Sequence, residues 1–362
     1  MKKIAHVTIL NPVDHTRIIK LVRTQIELGY TVKVVGKHPH QPFYHHSNYQ
    51  FYSTGSIKRN FFERFQTHLK ILFWWIKNVS QIDLFWIHTP ELFWLFILNF
   101  LFRKNQVYDV HENYFENIYY ADYYPKWIRQ PLSYVVRFIE ILIAKIAIVV
   151  YAEYGYENIL YAKVYEIIPN AFDTDFLPNI QKKTHFQPLK LIISGNLSES
   201  WGIMNAIQFW EVQNQYQPTY LTIIGYAPLK EFAQKIRLRI QNSSYKSLCR
   251  LIGIEYYVPY SEIIQAISES DIVLAPYQIH PQFLHKIPTK FFEAIAMKKT
   301  LLFSNIPYWK ELNAKYSFGF CIEHWDTYWK IQFVSSFEKI PEEFYHWKFQ
   351  IPKIQKIMKL ME

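Results

Sequence analysis

Ile4-Ala5-His6-Val7-Thr8-Ile9-Leu10, the break Asn11-Pro12, the segment Arg17 to Leu28 and the run Gly29-Tyr30-Thr31-Val32-Lys33-Val34-Val35 decide the fold class. The first run is short, apolar and rich in β-formers, so it reads as a buried strand. From Arg17 onward Ile18, Leu21, Val22, Gln25 and Ile26 recur at helical spacing, and Gly29 ends the pattern. Thr31 to Val35 is a second strand. Strand, helix and strand within so few residues form a βαβ unit, which favours a parallel sheet and a right-handed crossover.

The pattern continues. Further apolar strands are predicted at 84–87, 107–110, 146–151 and 166–168, separated by helix-length segments. It restarts at Leu189-Lys190-Leu191-Ile192-Ile193-Ser194-Gly195, with strands near 220–225, 250–253, 271–275 and 300–304. A chain of 362 residues also exceeds the roughly 150 residues of a typical domain. The organisation read from this is an α/β Rossmann-like lobe over 1–180, a polar linker over 181–188, a second lobe over 189–334 and a helical segment over 335–362 packing back on the lobes. Open parallel sheets bind ligands beyond their strand C-terminal ends, so two in tandem predict a central cleft.

Composition excludes several classes. Half the residues are hydrophobic and 19% aromatic, which rules out global disorder. Nine glycines, about 2.5% against roughly 7% on average, leave no room for the usual glycine-rich nucleotide loops. No Walker loop, G-x-G-x-x-G, G-x-S-x-G or H-E-x-x-H occurs. Two cysteines, Cys249 and Cys321, make no disulfide framework and point to a reducing, cytoplasmic setting. The N-terminal run is broken by His6 and does not read as a signal peptide, and the apolar stretches 92–102 and 139–151 are too short to span a bilayer. His38, His40, His45 and His46 lie among prolines without a supporting carboxylate and read as a solvated loop, so no metal is expected. Asp173-Thr174-Asp175 imitates a cation-binding D-x-D, but its position favours a cap.

The net charge is +10, and residues 1–104 hold 14 Lys/Arg against 5 Asp/Glu. Within that segment, Ile57 to Lys77 interleaves cations with Phe and Trp at helical spacing, which suits an anionic bilayer surface and equally a core-facing helix with a basic outer face. No nucleic-acid-binding module accompanies the charge.

Chemistry concentrates where strands end. Trp86-Ile87-His88-Thr89-Pro90-Glu91-Leu92 and Tyr108-Asp109-Val110-His111-Glu112 place acid and imidazole groups directly after predicted strands. With Val13-Asp14-His15-Thr16-Arg17, Ile168-Pro169-Asn170, Pro288-Thr289-Lys290-Phe291-Phe292-Glu293 and Ser304-Asn305-Ile306-Pro307, in this order over about 300 residues, the chain resembles glycosyltransferase family 4, the bacterial group 1 glycosyltransferases. The resemblance implies the GT-B fold and retaining, metal-independent transfer of a sugar from a nucleotide diphosphosugar. Together with the basic, aromatic segment 57–77, this reads as a peripheral enzyme of the inner face of the plasma membrane that acts on a saccharide or lipid-linked acceptor. The resemblance makes His111 the catalytic residue beside the transferred sugar. On the donor side it implies Gly195, Asn196, His285, Thr289, Lys290 at the diphosphate and Glu293 at the ribose. Asp14, Arg17, Glu91 and Glu112 fall on the acceptor or cleft side, where a capping pair equally explains Asp14 and Arg17. The chain departs from the family at Gly195-Asn196-Leu197-Ser198-Glu199-Ser200-Trp201-Gly202, which lacks the two usual cations, and at His285, where many members have a glutamate. These departures favour a competing class, a non-catalytic GT-B-like partner or membrane scaffold of an active transferase.

Overall fold

The computed structural model describes residues 2–9, 15–37, 46–55, 61–120, 125–178, 188–330 and 332–360. The histidine loop from 38 to 45, Asp14 and most of the expected linker lie outside them.

Two compact units emerge: Met1–Asn170 with Phe349–Glu362, and Ala171–Lys348. The first runs β1 (Lys3–Val7), α1 (Thr16–Glu27), β2 (Thr31–Gly36), β3 (Tyr49–Ser53), α2 (Phe61–Asn78), β4 (Leu84–Ile87), α3 (Phe93–Leu101), β5 (Asn105–Val110), α4 (Tyr114–Tyr119), α5 (Lys126–Ile146), β6 (Ile148–Tyr151), α6 (Glu157–Leu160) and β7 (Tyr165–Ile167). Its seven-stranded sheet has the order β3-β2-β1-β4-β5-β6-β7, and every pairing is parallel.

Side-chain alternation sorts this sheet into two faces. Val35, Phe85, Ile87 and Tyr108 pack under Ile71, Trp74 and Trp75 of α2, Leu95 and Phe96 of α3 and Ile143 of α5. Val32 and Val34 face the other way, against Ile18, Val22 and Ile26 of α1. The β1 residue between Ala5 and Val7, His6, therefore lies on the α1 face, as does Asp109 between Tyr108 and Val110. Both are fully buried.

The second unit contains β8 (Leu189–Asn196), α7 (Ile203–Asn214), β9 (Thr219–Tyr226), α8 (Lys230–Gln241), β10 (Cys249–Ile254), α9 (Tyr260–Glu269), β11 (Ile272–Ala275), α10 (Thr289–Ala296), β12 (Thr300–Ser304), α11 (Pro307–Tyr316), β13 (Gly319–Ile322) and α12 (Glu342–Tyr345). Its six parallel strands are ordered β10-β9-β8-β11-β12-β13. The last helix, α13 (Ile351–Lys359), belongs to the first unit, where Lys353 Nζ donates to the Ile167 carbonyl at 2.8 Å.

The units divide at Asn170, some ten residues before the linker read from composition. Backbone pairing explains the difference. Phe172 is bridged to His346, accepts from Trp347 N at 2.8 Å and buries its ring in the core of the second unit. Likewise the segment 335–362 is not one element: its first part belongs to the second unit and α13 to the first.

β8 and β9 pair closely at Gly195 and Gly225, the penultimate residue of each strand. A Cβ on Gly225, at φ +147°, would sit 1.8 Å from the Gly195 carbonyl oxygen. Gly29, at φ +90°, has nothing within 4 Å of that position. Gly225→Ala should therefore cost at least about 3 kcal/mol, from backbone displacement on top of strain, and Gly29→Ala only about 1–2 kcal/mol. Chemical denaturation of the two variants checks this, and equal losses would contradict the close approach.

Candidate functional site

The α1 face of the first sheet carries a buried polar network. Two-residue periodicity extends beyond the strand ends, so His88 follows Trp86 and His111 follows Asp109 on the face that holds His6. Arg17 and Gln25, on the buried side of α1, meet them from above. Arg17 Nε and Nη2 donate to Asp109 Oδ1 at 3.0 and 2.7 Å, while Nη1 donates to the Ile168 carbonyl at 2.6 Å and to Asn170 Oδ1 at 3.1 Å. Both partners of this ion pair are fully buried. Asp109 Oδ2 lies 3.0 Å from His88 Nδ1 and 3.0 Å from His111 Nε2, and those two ring nitrogens are 2.9 Å apart. Behind them His6 Nδ1 lies 2.9 Å from His88 Nε2, and His6 Nε2 lies 2.7 Å from Gln25 Oε1.

The ionised Asp109 carboxylate can only accept, so it accepts a hydrogen bond from His111 Nε2. The interior thereby fixes the tautomer of His111, which keeps only 5% exposure. Charges follow burial. Desolvation would raise the Asp109 carboxyl, but the Arg17 guanidinium, then His111 and His88, hold it well below the usual range. Burial, reinforced by His88, pushes His6 down to about 3; burial takes His88 to about 4 against the pull of Asp109. His15, whose ring centroid lies 5.5 Å from that of His111, is likewise lowered to about 3 by burial and by His111.

The sequence-derived residues fall into three groups here. His111 joins the network, and Arg17 joins it as a fully engaged structural cation whose donors go to Asp109, Ile168 and Asn170. Glu91 instead pairs with Arg64 and His68; against burial, their hydrogen bonds hold it down to about 2. Glu112 is exposed and accepts from Asn117 Nδ2. His6 and Gln25 carry no motif signal, and only strand alternation and the helical face of α1 could have found them. His88, Asp109 and His111 are the one group among the described residues whose metal-ligand atom types converge, yet Arg17 already neutralises the carboxylate such an ion would need.

The second unit holds a different arrangement. Lys290 and Glu293 occupy one buried side of α10. Tyr260 donates to Glu293 Oε1 at 2.9 Å. Lys290 is 4% exposed, its Nζ has no hydrogen-bond partner, and it sits 5.2 Å from the Tyr277 ring centroid and 5.5 Å from that of Trp201. Burial lowers this ammonium to about 8 against the attraction of Glu293. Trp201 and Tyr277 are stacked 5.3 Å apart, so Trp201 forms one wall of an aromatic seat for Lys290. The loop is held by Gln278 N donating to the Ser200 carbonyl at 3.0 Å. Thr289 and His285 are exposed near the start of α10, and Gly195 and the exposed Asn196 end β8. Asp173 caps a turn by accepting from Asp175 N at 3.2 Å.

No protein-family model and no curated protein matches the chain. Solved structures do. Sucrose-phosphate synthase from Thermosynechococcus elongatus superposes with a TM-score of 0.73 at 11% identity, over 100% of this chain and 99% of that one. HepE from Anabaena in complex with UDP-glucose gives 0.67 at 11% identity, over 99% and 100%. A glycosyltransferase from Rickettsia africae gives 0.61 at 13% identity, over 99% and 98%. At such identities the likeness shows the fold, two all-parallel Rossmann-like lobes of the GT-B class.

The network makes the first unit acid-sensitive. His6, His15 and His88 have folded pKa values lowered from 6.5, so the unfolded chain binds more protons below that pH and stability falls as pH drops. Each should cost about 2 kcal/mol at pH 5 relative to neutrality. Asp109, also depressed, adds its loss below its ordinary value of 3.8. Thermal unfolding between pH 7.5 and 5 should show a steep decline, and a flat midpoint would refute the neutral network. Arg17→Met, which strands Asp109, should cost about 3–5 kcal/mol at neutral pH, read by urea unfolding.

Proposed function

We propose that the chain is a glycosyltransferase that binds a nucleotide diphosphosugar in its second unit and transfers the sugar, with retention and without a metal, to a saccharide or lipid-linked saccharide. The observation that carries this is Lys290. A buried ammonium without a hydrogen-bond partner is costly unless an anion completes it. Lys290 lies in the first turn of α10, where the helix dipole also favours negative charge. A diphosphate meets both demands and needs no divalent cation as counter-charge. Glu293, one turn on and oriented by Tyr260, accepts hydrogen bonds from the ribose hydroxyls in this reading. His111, its Nε2 proton directed inward, offers its other ring edge to the transferred sugar. A lipid-linked acceptor would bring such an enzyme to the inner face of an anionic membrane.

The uncharged Asn196 and the stacked Trp201 favour a second reading, a non-catalytic partner that keeps the fold. Calorimetry with a panel of nucleotide diphosphosugars, in magnesium and in chelator with product detection, separates the two. Saturable binding and slow turnover of one donor in chelator are expected; no binding by folded protein would favour the partner. Lys290→Ala should weaken donor binding roughly 10- to 100-fold, the worth of one charged hydrogen bond. Affinity should fall as pH rises through about 8, where the free Lys290 loses its proton. His111→Ala should retain donor binding and lose transfer.

A further inference from the structure

We infer that the outer face of α2, α3 and α5 is a bilayer-docking surface for anionic phospholipid. The three helices lie side by side on one face of the first sheet. Trp75 of α2 donates to Asn99 of α3 at 2.8 Å and meets Phe102 edge-on at 5.1 Å, while α3 packs on α5. Their inner sides fill the core with Ile71, Leu95 and Ile143. Their outer sides are apolar as well. Phe62, Phe65, Leu69, Phe73 and Ile76 make an exposed stripe along the whole of α2 at intervals of three and four. Phe100, Leu101 and Phe102 continue it at the end of α3, and Trp127, Tyr134 and Phe138 on α5. Among the described residues, six of the seven exposed phenylalanines and the one exposed tryptophan lie here, with Phe73 at 60% and Trp127 at 77%. Helices of a water-facing surface normally put polar side chains on that side, and an apolar patch of this extent marks an interaction site.

Charge selects the occupant. Residues 61–78, 93–104 and 126–146 carry nine Lys or Arg against two acids, Glu63 and Glu140. Aromatic side chains among cations match the interfacial layer of an anionic bilayer, with rings in the acyl boundary and cations among phosphates. A cavity of about 320 Å³ between β3 and α2, lined by Lys33, Gln50, Tyr52, Phe73, Trp74 and Lys77, sets two lysines at the margin of the stripe, where a lipid phosphate would lie. Among the described residues no helix is long and apolar enough to cross a membrane, so the face lies on the bilayer without spanning it.

This deepens the membrane part of the proposed function, and its test is read apart from glycosyl transfer. The full chain should co-sediment with phosphatidylcholine vesicles containing phosphatidylglycerol and much less with phosphatidylcholine alone. Phe65→Ser with Phe73→Ser, and separately Trp127→Ser with Phe138→Ser, should each weaken vesicle binding roughly tenfold or more. All four positions are exposed, so the fold should persist, as unchanged thermal unfolding would verify. Tyr216→Ser with Leu229→Ser, exposed in the second unit, should bind like the parent. Lys33→Gln with Lys77→Gln should reduce the preference for the anionic vesicles. Absence of binding, equal binding by all variants, or a dimer in solution that the α2 and α5 variants dissociate would overturn the proposal. Donor affinity measured without vesicles should be unchanged in the α2 and α5 variants, so failure here leaves the transferase reading to its own test.

Discussion

One buried ion pair organises the first unit. Arg17 and Asp109 are both removed from water, which is expensive, and the pair persists because each charge is almost completely hydrogen-bonded. Arg17 connects the first turn of α1, the end of β5 and the chain leaving β7, the last two 92 and 151 residues from it in sequence. By holding Asp109 ionised it also decides the other partners of that carboxylate, the two imidazoles of His88 and His111. Removing either charge would leave the other buried and unpaired, so the identity of residue 17 is coupled to that of residue 109 and through it to the orientation of His111.

The second unit places its charge by the opposite means. Lys290 is nearly as buried as Arg17, but it has a π surface in place of a carboxylate. Aromatic faces partly compensate a cation while leaving its N–H donors unused. Arg17 is thus a finished structural contact, whereas the Nζ of Lys290 has no hydrogen-bond partner. Trp201 contributes to this seat from a loop fixed by backbone contacts: a Cβ on Gly202, at φ +72°, would fall 1.6 Å from the Pro276 carbonyl oxygen. Close approach there lets Trp201 reach Tyr277.

The sheets were legible in the sequence wherever strands are buried on both sides, since such strands are continuous apolar runs. β1, β2, β4, β5 and β6, and β8, β9, β11 and β12, all carry that signal. β3 and β13 do not, and each lies at the edge of its sheet. Tyr49 to Ser53 is half-exposed and polar at Gln50, and Gly319 to Ile322 is short and begins with glycine. The domain boundary was displaced for a similar reason: composition locates a polar stretch, whereas the pairing of Phe172 with His346 is a contact between residues far apart in the chain.

By itself the sequence determined the α/β class, the two successive parallel sheets and the clustering of acid and imidazole groups just past strand ends, because periodicity and strand termination are local properties. It also determined that α2 would carry cations among aromatics. Tertiary structure decided which of these groups meet. It put His6 and Gln25 behind His88, made Arg17 a structural cation, paired Glu91 with Arg64, and gave Lys290 an aromatic seat without a hydrogen-bond partner for its Nζ. It also decided that the aromatic stripe of α2 faces outward beside those of α3 and α5. Each of these outcomes depends on the burial and neighbours that a residue acquires from distant segments, and a linear pattern carries no record of them.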